Sequence, residues 1–153
     1  MELEKQVCTL EQAKRLKELG VKQESNFYHN NGAVWYLYDV TDWGMQTQFY
    51  EDCLNDARLP ERDDIISAFT VAELGEMLPY ENEFNKSFFY SGYHSQLGKW
   101  ECQHVGWKEN AHHGRQLLHK EYGESEASAR AAMLIYLLEN NLLSVSTKQE
   151  IEK

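Results

Sequence analysis

Five of the six histidines fall between residues 94 and 119: His94, His104, His112, His113 and His119. Cys102 and His104 stand at i and i+2, the spacing that puts two side chains on one face of a strand. Thiolate and imidazole are ligands that tetrahedral zinc accepts. His94, Cys102, His104 and one of His112 or His113 therefore form a candidate zinc set, although their spacing matches no established metal motif. The plainer alternative is a group of polar residues on the solvated side of a hairpin. The same cysteine beside a histidine raises a second chemistry, a thiolate activated by an imidazole base. Spacing along a strand supplies neither an oriented base nor an oxyanion hole, and such a cysteine is more often a small core residue. The chain contains no G-x-S-x-G, phosphate-binding loop, G-x-G-x-x-G or H-E-x-x-H pattern.

Carboxylates are the other abundant reactive group. The formal net charge is −10, from 25 acidic and 15 basic residues. Residues 51–83 carry ten acids against two arginines, Arg58 and Arg62, so this stretch alone carries −8. A local field of this kind steers or repels a partner. Paired carboxylates at 61–64 and 81–83 suit a hydrolase only if they are held at a fixed separation, and on a loop they are usually solvated charge. Asp63-Asp64 lacks the alternating oxygens and glycine of a calcium loop. Nucleic acid is not an expected partner. Lys14, Arg15, Lys17 and Lys22 on the first helix and just after it are offset by Glu11, Glu18 and Glu24, and phosphate contacts need a basic patch.

Seventeen of the nineteen aromatic residues lie between Phe27 and Trp107. Aromatic side chains suit a pleated, half-buried surface, so this stretch is expected to build a sheet. So many cannot easily be buried on one face. Trp43, Tyr90, Tyr93 and Trp107 are candidates for an exposed contact surface. With Asp56, Glu61, Asp63, Asp64, Glu81 and Glu83 they make a candidate acidic and aromatic protein-binding face. The alternative is a two-sided core covered by helices.

The elements that must position these groups can be read from periodicity. A helix is expected over 9–19, with Thr9 and Gln12 as a capping box, a stripe of Leu10, Ala13, Leu16 and Leu19, and Gly20 as its stop. Strands are expected at 26–29 and 34–39 around the turn Asn30-Asn31-Gly32, with a third at Met45–Tyr50. Residues 51–64 read as a loop. Thr70 and Glu73 cap a second helix that Pro79 ends, with Val71, Leu74, Met77 and Leu78 inward. Strands follow at Phe88–His94, Lys99–Trp107 and 115–122. Ser125 caps a last helix with Ala127, Ala131, Leu134, Ile135 and Leu138 on one face. Residues 144–153 read as a frayed tail. The expected fold is one α+β domain over 1–153, a mostly antiparallel sheet with three helices packed on it.

Three cysteines, widely spaced and odd in number, suggest reduced thiols in a cytoplasmic setting rather than a disulfide framework. The sequence shows neither a secretory signal at its start nor an apolar run of spanning length.

Three segments, Cys8–Tyr28, Ala68–Pro79 and Glu126–Leu142, are distinctive together. In them the chain resembles a group of small uncharacterised proteins of bacteriophages, prophages and mobile elements of Bacteroides-type gut bacteria. The resemblance implies a cytoplasmic accessory protein and brings no activity and no site residues. The reading carried forward is a non-enzymatic module that binds a protein partner, with mimicry of the charge of DNA as one version of it, with no cofactor and with homo-oligomerisation open. The alternative is a zinc-binding domain or metal-dependent enzyme using the Cys/His set.

Overall fold

The computed structural model describes residues 2–30, 32–36, 66–79, 87–107 and 114–143. After a 3-10 turn at Leu3–Lys5 comes α1, Leu10–Glu18. Its capping box closes as the sequence predicts. The Thr9 hydroxyl accepts from the Gln12 N–H at 3.2 Å, and the Gln12 side-chain oxygen accepts from the Thr9 N–H at 3.1 Å. Ala13 and Leu16 form the buried stripe, while Leu10 stays exposed. Gly20, at φ +88°, turns the chain out of the helix.

Among the described residues the first sheet has three short antiparallel strands, β1 (Phe27–Asn30), β2 (Ala33–Tyr36) and β3 (Ile66–Ser67), in the order β2-β1-β3. Gly32, at φ +78°, supplies the positive φ of the β1–β2 turn. The strand expected at Met45–Tyr50, the loop 51–64 and the tail 144–153 lie outside the described residues. β3 leads through Ala68 and Phe69 into α2, Val71–Met77, whose capping box pairs Thr70 with Glu73 as expected.

The second sheet is a meander of β4 (Phe88–His94), β5 (Lys99–Trp107) and β6 (Arg115–Gly123). The antiparallel character expected from the sequence is present, divided between two sheets. The last helix, α3 (Glu126–Glu139), starts at Ser125, whose hydroxyl accepts from the Ser128 N–H at 3.1 Å. Of the five residues expected on its inner face, Ala127, Ala131 and Leu134 are buried, and Ile135 and Leu138 pack against the core while partly covered.

α3 buries more than one stripe, because Ser128, Ala129, Met133 and Leu137 are buried too. One side packs across β4, β5 and β6, and the other meets α1 and α2. A helix apolar around most of its circumference belongs in such a central layer. Its alanines allow the sheet to approach closely. The core thus joins Leu16, Phe69, Leu74, Cys102, Met133 and Leu134. These observations define an α+β fold in which α3 lies directly on the larger sheet and α1 and α2 pack behind it.

Candidate functional site: a groove along the β4 edge

Successive residues of a strand face opposite ways, so the register sorts the candidate ligands by face. Ser91 pairs with Cys102, Phe89 with His104, and Cys102 and His104 with Glu121 and His119. These residues share the face that α3 covers. His94 pairs with Lys99, three positions from Cys102, and so belongs to the opposite face. Its Nδ1 accepts from the Leu97 N–H at 3.3 Å in the hairpin turn. The structure therefore brings Cys102 and His104 to one face and separates His94 from them. His112 and His113 lie outside the described residues, among which no group of three or more His, Cys, Asp or Glu converges on a point.

Each inward residue has a packing role. Cys102 is buried, and loss of water pushes its thiol up to about 11, against a smaller opposing pull from Arg130. It remains a neutral thiol at physiological pH, the reverse of an activated nucleophile. The His104 ring stacks on Phe89 at 4.5 Å. Burial, and then the neighbouring His119, hold His104 below the usual imidazole range. His119 stacks on Tyr136 of α3, and its Nε2 lies 2.8 Å from the Glu121 carboxylate.

A cavity of about 440 Å³ lies between α2 and β4. Gly75, Leu78 and Pro79 line one side, and the consecutive strand residues Phe88, Phe89, Tyr90 and Ser91 line the other. A cavity on one face of a strand would touch alternate residues only. Contact with four in succession places it along the edge.

Its base is a polar cluster. The Arg130 guanidinium donates to the Ser91 hydroxyl from Nε at 3.2 Å and from Nη2 at 3.0 Å. Nη2 also donates to Glu126 at 2.8 Å, and Nη1 to the Val71 carbonyl at 3.3 Å. The Ser91 hydroxyl donates in turn to Glu126. This network ties β4, α2 and α3 together and neutralises the cation it contains. Gly75 makes room for it, since a Cβ there would strike Arg130 Nη1. Sequence reading did not single out Arg130, Glu126 or Ser91. The usable signal was an acid and an arginine four residues apart on a mostly apolar helix, the spacing of a helical ion pair.

The opposite face of the larger sheet carries two of the four aromatic residues expected on a contact surface. Tyr90 and Trp107 are each 55% exposed, and Phe88 and Leu117 stand beside them partly exposed. The Arg115 guanidinium lies over the Phe88 ring, 5.7 Å from its centroid. Tyr93 is 58% exposed on the α3 side of the sheet, edge-on to Trp100, so it does not share the face of Tyr90 and Trp107. Trp43, Asp56, Glu61, Asp63, Asp64, Glu81 and Glu83 lie outside the described residues. Of the first helix's cations, Arg15 is paired with Glu139 and Glu18.

The described residues thus define an α+β fold with a cavity between a strand of the larger sheet and a helix. Comparison with protein families, with curated proteins and with solved structures found no match. Among the described residues, no helix is long and apolar enough to cross a membrane.

Proposed function

We propose that this chain is a non-enzymatic protein-binding module, an accessory protein of the phage and mobile-element type that its sequence resembles. The observation that carries this reading is the exposure of Phe88, Tyr90, Trp107 and Leu117 on one side of the larger sheet. Large apolar and aromatic side chains gathered on a surface are the usual anchors of a protein interface. The −8 of residues 51–83 favours a basic partner and speeds its approach. A partner that normally holds nucleic acid fits this chemistry, with the acidic segment standing in for phosphate charge. Cys8 and Cys102 are free and buried, in keeping with a reducing cytoplasm. The zinc alternative retains Cys102 and His104 on one face, and no observation favours it over their packing roles.

The test is kinetic. The immobilised chain is used to capture a partner from a Bacteroides-type lysate, and association is then followed with the purified partner. Replacing Asp63 and Asp64 by Lys is expected to slow association about tenfold or more at low salt, with little change at high salt. An on-rate unchanged at both ionic strengths contradicts the steering role of the acidic segment.

A further inference from the structure

On the face of the larger sheet away from α3, the register sets side chains in rows. Phe88, Val105 and Leu117 form one row across β4, β5 and β6. Tyr90, Gln103 and Lys120 form the next, and Trp107 and Arg115 pair on the other side of the apolar row. Tyrosine, tryptophan and arginine are the residue types that most often anchor a protein interface. The charge of this face runs against that of the chain. Its three strands present the cations Lys99, Arg115 and Lys120, and one carboxylate, Glu101. The other carboxylate of these strands, Glu121, pairs with Cys102 and faces α3. Glu101 already accepts from the Gln103 side chain at 2.7 Å, whereas the Arg115 charge rests over the Phe88 ring, within the apolar patch. A positive, aromatic face thus stands on a chain of net charge −10.

We infer that this face docks a segment of a protein partner that carries carboxylates among apolar side chains. This rests on the protein-binding reading above and gives the chemistry of the segment that lands on its anchors. Residues 51–83 draw in a basic region of the partner, and the sheet face seats a segment of the opposite sign. Charges are screened beyond about 8 Å at physiological salt, so a docked segment responds to the charges of the face more than to those of the whole chain. Its apolar side chains cover Phe88, Tyr90 and Leu117, and its carboxylates meet Arg115 and Lys120 on the β6 side. Arginine over an aromatic ring is already oriented, and it binds a carboxylate through two parallel N–H groups. Single-stranded nucleic acid is the poorer occupant. Val105 and Leu117 lie between the aromatic rings and give bases nothing to stack on, and a chain of −10 repels a polyanion from afar. A second copy is poorer too, because two such faces in an isologous contact set like charge against like.

The probe is a displayed library of random peptides of about ten residues, panned against the full chain at about 0.15 M salt. Expected is enrichment of peptides that combine Asp or Glu with Leu, Ile, Phe or Trp. One enriched peptide is then titrated against the wild-type chain and against Tyr90→Ser, Arg115→Glu and Lys14→Glu. All three sites are exposed, and melting temperatures are checked first. Where Arg115→Glu melts early, Lys120→Glu takes its place. Lys14→Glu makes the same change of net charge on α1, which packs behind α3. Tyr90→Ser and Arg115→Glu are each expected to weaken binding about tenfold or more, and Lys14→Glu less than about twofold. Equal weakening by Arg115→Glu and Lys14→Glu overturns recognition by this face. Weakening by Tyr90→Ser with Arg115→Glu like wild type overturns the acidic segment and leaves the protein-binding reading standing, as does enrichment of basic peptides. Recovery of no peptide, or tighter binding of a single-stranded oligonucleotide, also overturns the inference, and the steering experiment then judges the broader reading by itself. Concentration-dependent dimers that Tyr90→Ser abolishes assign the face to a second copy and overturn it too.

Discussion

Phe69→Ala is expected to lower the free energy of unfolding by about 3–5 kcal/mol. Phe69 is 1% exposed and is among the largest fully buried side chains in the described residues. It belongs to the cluster with Leu16, Leu74 and Leu134, so truncation opens a cavity where α1, α2 and α3 meet. The residue also fixes the chain's path. Its carbonyl accepts from the Cys8 N–H at 2.9 Å, and the next residue, Thr70, bridges to Val7 and caps α2. One substitution therefore disturbs a seam between segments some 60 positions apart in sequence. Urea unfolding checks this, with Leu142→Ala as a comparison, because Leu142 is 60% exposed. The comparison variant should stay within about 0.5 kcal/mol of wild type. A Phe69→Ala loss below about 1 kcal/mol contradicts the placement of this residue in the core.

Gly123→Ala is expected to cost about 1–3 kcal/mol or more through overpacking. Gly123 ends β6, just before the chain turns into α3. A Cβ there would strike the Ala129 backbone nitrogen and stand 2.7 Å from the Ser128 carbonyl carbon. Backbone in the first turns of a buried helix cannot step aside, so the helix must move off the sheet. Gly92→Ala is the informative comparison. The atoms nearest a Cβ at Gly92 all belong to the exposed Tyr90 side chain, its hydroxyl at 2.9 Å, and that side chain can rotate away. Thermal melts should separate the two glycines clearly. Equal effects would show that β6 does not press on α3 as described.

Local signals in the sequence carry over well to the structure, and non-local ones do not. Thr9–Gln12 and Thr70–Glu73 close as capping boxes because the whole motif lies within one helical turn. The strands at 88–94 and 99–107 are legible from their aromatic residues and from the turn at Gly98, whose φ is +63°. β3 is two residues long, too short for any period, and it exists because β1 offers it an edge. The division into two sheets follows from pairing partners, which periodicity does not encode. The single-face reading of α3 missed Ala129, Met133 and Leu137, since a helix between two layers has no polar side to mark its orientation. His94 fails to join Cys102 because the pleat assigns faces by register, and register depends on the length of the intervening turn. The groove itself has no contiguous signature: its walls come from α2 and β4, and its base from Arg130 some forty residues further on.

The most direct measurement is residue-resolved amide hydrogen exchange on the free monomeric chain, comparing β4 with β5. An interior strand has both edges paired, whereas an open edge leaves alternate amides to water. The expected result is slow exchange along Lys99–Trp107 and an alternation of slow and fast amides along Phe88–His94. Uniformly slow exchange along both strands would mean that the β4 edge is already covered.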